Sequence, residues 1–348
     1  MQKSRIHAFD YIRATCIMLV VIYHVLLSIN DSGVPVPAAI MEVNRALSTV
    51  RMPVFFFVSG ILFHLVFEQG KSDFWRNLVV GLAIPYLAWS FVQGVGKMMM
   101  PGSTANPVTG SDLLAILWAP IDHFWFIYAL IVARLVGRLD DRKGYVILAV
   151  FVASLAFYYL TRVDLMPKGL WSSLTRGLTY FIGGLWFARH YNIDLLKAPS
   201  LRAATIRFAV AAIAFICVRY IDLAFLMPRL PLLAGVAQTI VEPALGIYAA
   251  ITLSLSLPAP TSLGGRCAAL VAQGSLVIYL MNPMVAAVSR SAMIKAGMDH
   301  WLLLFIAVLA ITTMVPVTIY LVANRLRLLP YLALGPNRRI PRAAPASA

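Results

Sequence analysis

Apolar stretches of about 20 residues recur along almost the whole chain, parted by short polar or turn-rich breaks. Their spacing predicts ten helices, over residues 9–29, 48–68, 77–98, 112–137, 144–161, 171–189, 204–226, 232–256, 268–294 and 301–323. The breaks at 30–37, 101–107, 138–144 and 258–265 are rich in Gly, Pro or charge. The fourth segment is interrupted from Pro120 to His123, which predicts a short re-entrant piece followed by a helix. Long alternating segments of the kind that build a membrane barrel are absent. The expected fold is an all-α polytopic membrane protein with about ten transmembrane helices in one bundle. It would occupy residues 1–325, followed by a basic tail over 326–348.

Composition supports a membrane solvent. Charged residues make up 12% of the chain, about half the share usual in a soluble protein. The net charge of +15 would raise the question of nucleic acid in a soluble chain. Here the basic residues gather in short loops and at the C-terminal end, so no nucleic-acid partner is expected. If the ten segments alternate in direction, the larger share of Lys and Arg falls on the N-terminal side. Both termini are therefore expected in the cytoplasm, with the tail touching anionic lipid. Lys3 and Arg5 before an apolar run imitate a signal peptide, but Asp10 and Arg13 interrupt the run and no small-residue cleavage site follows. The run reads as a retained first helix. Cys16, Cys217 and Cys267 lack metal-ligand spacing, so neither a metal nor a disulfide is expected.

Ionisable residues inside apolar segments are the chemical candidates, because burying charge in a bilayer is costly. Asp10, Arg13 and His24 share one stripe of the first helix. Arg13 and His24 stand about three turns and roughly 16 Å apart along its axis. A histidine there is a candidate proton acceptor. Arg13 suits an anionic group, and Asp10 suits holding the Arg13 side chain. Glu242, beside Pro243, is a further candidate, with Arg134 or Arg13 as its expected partner. His64 reads as structural.

Four stretches, in order along the chain, resemble the acyltransferase-3 family of membrane O-acyltransferases. The first is Arg13 and His24 with ten residues between them. The second is the aromatic run from Arg51 to Ser59 and Gly60. The third is Asp122 to Leu130, with Trp125 and Phe126, and the fourth is Gly274 to Leu280. The resemblance implies transfer of an acyl group, often acetyl, from a cytoplasmic coenzyme A thioester to a sugar hydroxyl. The acceptor would be a polysaccharide, glycolipid or glucan on the far side of the membrane, with His24 as base. Arg51, Ser59, His123, Trp125, Glu242 and Asn282 are the expected acceptor-side residues.

Two departures from the family pattern bear on this. Arg76 precedes the Ile84-Pro85 pair, but the second arginine usual there is missing. Donor phosphates would then fall to Arg76 with Arg138, Arg142 and Lys143, or to Lys71. Asn282 stands where a histidine is frequent and cannot titrate. Competing readings are a glycan or lipid transporter and a non-catalytic relative. A transporter would carry paired inverted halves, and none is visible.

Overall fold

Where they are described, the predicted apolar segments are mainly helical, because a chain in lipid must satisfy its backbone hydrogen bonds internally. The computed structural model describes residues 7–68, 70, 73–99, 108–139, 144–162, 164–166, 169–220, 231–257 and 262–337. At 162 and 231–239 the description is of the backbone alone. The α-helices are α1 (His7–Asp31), α2 (Ala38–Phe63), α3 (Phe74–Leu78), α4 (Ile84–Met99), α5 (Gly110–Ala115), α6 (Trp125–Leu139) and α7 (Tyr145–Arg162). Then follow α8 (Leu170–His190), α9 (Leu201–Tyr220), α10 (Pro231–Ser256), α11 (Leu263–Gln273), α12 (Ser275–Lys295) and α13 (Trp301–Arg325). Among the described residues there is no strand.

Six helical runs are long and apolar enough to cross a membrane: His7–Asp31, Ala38–Glu68, Phe74–Met99, Leu201–Tyr220, Ser275–Lys295 and Trp301–Arg325. Shorter apolar helices lie at Tyr145–Thr161 and Ile240–Ser256. The protein is thus an all-α, multi-pass membrane protein.

Two segments differ from the hydropathy reading, and a third divides at its expected interruption. Helix α2 begins at Ala38, ten residues before the predicted 48, because its first turns are polar and carry an ion pair between Glu42 and Arg45. Segment 112–137 divides into α5, a 3₁₀ turn at Asp122–Phe124 and α6. A capping box of Thr109 and Asp112 starts α5. Segment 268–294 divides at Gly274 into α11 and α12. Residues 221–226 of the seventh predicted helix lie outside the described residues.

Helix α1 is central and packs against α2, α10, α11, α12 and α13. It runs parallel to α12: Arg13 Nη2 donates to Ser275 Oγ at 3.0 Å, and Arg290 Nη1 donates to the Ser28 carbonyl at 2.6 Å. Helices α2 and α8 touch backbone to backbone. A Cβ on Gly60 would lie 2.0 Å from the Phe181 carbonyl oxygen, and one on Gly184 would lie 2.0 Å from that of Phe57. Small residues permit such approach in membranes. Below this crossing, Arg189 of α8 holds Glu68, which also meets His64 Nδ1 at 2.7 Å. Glu68 closes a π-helical turn, His64–Glu68, and a second one, Val79–Ala83, joins α3 to α4.

Beyond α13 the chain folds back under the bundle. Leu329 and Leu334 are buried, Arg327 and Ala333 take positive φ, and Asn337 Nδ2 donates to the Arg327 carbonyl at 3.1 Å. The first part of the expected tail is therefore packed. Residues 338–348 lie outside the described residues.

Candidate active site

The stripe on α1 divides between two neighbourhoods. Arg13 borders a cavity of about 320 Å³, which reaches along α1 as far as Ile17. Its walls include Ser59 of α2, Arg134 of α6, Gln273 of α11, Ser275 of α12 and Tyr320 of α13. Two arginines thus border one partly polar chamber. The Arg134 guanidinium also lies 5.3 Å from the Phe67 ring centroid, a cation–π contact. Leu329, Leu334 and Pro336 of the folded-back segment border the same chamber. Asp10 is buried one turn before Arg13.

His24 lies outside that lining, farther along α1, where it meets a second histidine. The His24 and His123 rings pack edge-on with centroids 5.9 Å apart. His123 is buried, and its Nε2 has no hydrogen-bond partner. The turn carrying it is pinned twice. Asp122 adopts φ 45° and pairs with Lys97 of α4, while the Tyr279 hydroxyl donates to the His123 carbonyl. Asp is among the few non-glycine residues that tolerate positive φ. Tyr23 packs its ring on His24 at 5.2 Å, and Arg51 covers the Tyr23 ring, its guanidinium carbon 4.0 Å from the centroid. Arg51 is buried and its Nη1 donates to the Leu19 carbonyl at 3.4 Å. Asn282, one turn past Tyr279, is buried with Oδ1 lacking a partner.

The other candidates fall as follows. Trp125, two residues after His123, stacks on Phe56 at 6.5 Å. Glu242 is buried, but its ion pair is with Arg219 of α9 at 3.7 Å, which in turn lies 3.9 Å from Glu42. The expected partners Arg134 and Arg13 belong to the cavity instead. Glu242 is absent from the cavity lining. Arg76 and Arg138 are exposed near Phe74 and do not border the cavity. Lys71, Arg142 and Lys143 lie outside the described residues. Among the described residues no group of His, Cys, Asp and Glu could hold a metal.

Sequence reading missed Arg134 and Tyr279 as site residues. The first was visible as an intramembrane charge, the second as part of the late Ile278-Tyr279-Leu280 stretch.

The family model described as an acyltransferase domain, acyltransferase-3, matches residues 6–321. The chain belongs to that family. It is also similar to the inner membrane protein YcfT of Escherichia coli (strain K12), 27% identical over 217 residues. That match covers 56% of this chain and 59% of the relative. No solved structure matches.

Proposed function

We propose that this member of the acyltransferase-3 family is an inner-membrane O-acyltransferase. It moves an acetyl group from acetyl-CoA to a hydroxyl of a cell-surface carbohydrate or glycolipid. The observation that carries the reading is the division of the α1 stripe: Arg13 borders a chamber shared with Arg134, and His24 stands farther along beside His123.

In this reading the chamber takes the donor from the cytoplasmic side, where both termini lie. Arg13 and Arg134 face the anionic groups of coenzyme A. The roughly 16 Å from Arg13 to His24 accommodates the uncharged arm between those phosphates and the thioester. The acceptor hydroxyl approaches His24 from the opposite side. A ring nitrogen of His24 takes the hydroxyl proton as the oxygen bonds to the thioester carbonyl carbon. The tetrahedral oxyanion collapses, the carbon–sulfur bond breaks, and the coenzyme thiolate leaves with the proton held by His24. Arg51 contributes positive charge near the base, and Ser59 lines the donor path. His123 Nε2 and Asn282 Oδ1, both buried without partners, offer hydrogen bonds to sugar hydroxyls, with Trp125 alongside. No step needs a metal.

Membranes containing the full-length chain, given radiolabelled acetyl-CoA, should place label in a carbohydrate or glycolipid fraction. Label no higher than in membranes without the protein would overturn the reading.

A further inference from the structure

Helices α1 and α12 run side by side in one register. Arg13 with Ser275 and Arg290 with Ser28 are both pairs 262 residues apart. Ser28 lies four residues past His24, one turn and about 6 Å farther along the helix on the same stripe. Arg290 reaches that turn: its Nη1 donates to the Ser28 carbonyl at 2.6 Å and to Ser28 Oγ at 2.8 Å. The Arg290 guanidinium thus stands about one turn beyond His24, on the side away from Arg13 and the chamber.

That guanidinium has donors left over. The bond to the Ser28 carbonyl caps the end of α1 through one nitrogen. Its Nε is buried without a hydrogen-bond partner. Nε and Nη2 together form the edge that takes two oxygens of a carboxylate or phosphate. Among the described residues Lys97 pairs with Asp122, Arg45 with Glu42 and Arg219 with Glu242, whereas no carboxylate pairs with Arg290. Asp31, at the end of α1, acts on it only through space. A cation held partly out of water without a paired counter-charge is costly, which favours an incoming anion.

We propose that Arg290 binds the acceptor, and that the acceptor bears an anionic group, a carboxylate or a phosphate, close to the hydroxyl that is acylated. The proposal rests on the functional reading above, in which His24 takes the proton of that hydroxyl. One helical turn is about the span of one sugar residue, so the anion and the hydroxyl belong to the same sugar or to adjoining groups.

The test compares membranes holding the native full-length chain, Arg290→Gln or Arg290→Lys. Each is given radiolabelled acetyl-CoA, and the labelled product is extracted and run on an anion exchanger at pH 7. The native product should be retained and released by salt, and tandem mass spectrometry of that fraction tells a carboxylate from a phosphate. Arg290→Gln should slow labelling by about tenfold or more while KM for acetyl-CoA stays unchanged. Arg290→Lys should fall between, because an ammonium keeps the charge and loses the planar fork. If Arg290→Gln does not accumulate, Arg290→Lys carries the same comparison. A labelled product that passes the exchanger unretained overturns the proposal alone, and leaves Arg290 as a cap of α1 or a contact for a lipid headgroup. Native-rate labelling by Arg290→Gln, or a raised KM for acetyl-CoA in that variant, also overturns it. Absence of label above that of membranes without the protein overturns the functional reading, and this proposal with it.

Discussion

His24 and His123 come from distant parts of the chain, yet their imidazoles meet edge-on at 5.9 Å. The contact depends on a turn that α6 does not hold alone. Lys97 pairs with Asp122 on one side of His123, and the Tyr279 hydroxyl takes the carbonyl on the other. Four separate elements thus converge on the histidine pair: α1, α4, α12 and the 3₁₀ turn before α6.

His24 is the proton acceptor in this account, so His24→Ala should lower acyl transfer by about 10² to 10⁴ while the protein still accumulates. Tyr279→Phe keeps the ring and loses only the donor to His123. It should lower kcat by a smaller factor, about tenfold, with little change in KM for the donor. Steady-state transfer rates from radiolabelled acetyl-CoA, at matched protein levels, separate the two.

In the proposed reading Arg13 acts on the donor rather than on the proton. Arg13→Ala should raise KM for acetyl-CoA by about ten- to hundredfold, the worth of a hydrogen bond to a charged group. Ser275→Ala, which removes only the acceptor of the 3.0 Å hydrogen bond from Arg13, should cost less. Titrating donor concentration in both variants checks the order.

The contact between α2 and α8 leaves no room for a side chain at Gly60. Gly60→Leu should destabilise the protein by about 1–3 kcal/mol or prevent accumulation, because its Cβ would meet the Phe181 carbonyl rather than a movable side chain. Gly81→Ala, where the nearest atom is 3.9 Å away, serves as the tolerant control. Thermal unfolding in detergent provides the comparison.

Glu242 belongs to an ion pair, and its effect should be structural. In a double-mutant cycle of Glu242→Gln and Arg219→Gln, the coupling should be about 1 kcal/mol. That lies above a solvent-exposed pair and below a fully buried one, because Arg219 remains partly exposed. KM for acetyl-CoA should be unchanged in any variant that folds, a point that donor titration settles.

Hydropathy located the helices well, because lipid-facing and core-facing positions are both apolar and the signal sums over a whole segment. It failed where the signal is interrupted without a change of composition. At Gly274 one helix ends and the next begins at once, so the apolar run from Leu270 to Leu280 reads as continuous. The first turns of α2 failed for the opposite reason: Glu42, Asn44 and Arg45 hide a helix from any hydropathy count. Leu329 and Leu334 are buried by a fold-back that has no helical period to betray it. Within the site, the α1 stripe was legible because helical geometry fixes the spacing of Arg13 and His24. The neighbours of each were not, since only tertiary packing brings His123 to His24 and Arg134 to the cavity of Arg13. Arg219 lies in the last turn of α9, and nothing local marks it as the partner of Glu242.

The central claim is that His24 drives acyl transfer to a surface carbohydrate. The most direct measurement is mass spectrometry of surface glycans from cells carrying the native gene, a deletion or His24→Ala, with membrane protein levels matched. The account predicts a mass increment of one acetyl group only in cells with the native gene. An identical glycan mass in all three strains, or an increment that survives His24→Ala, would contradict it.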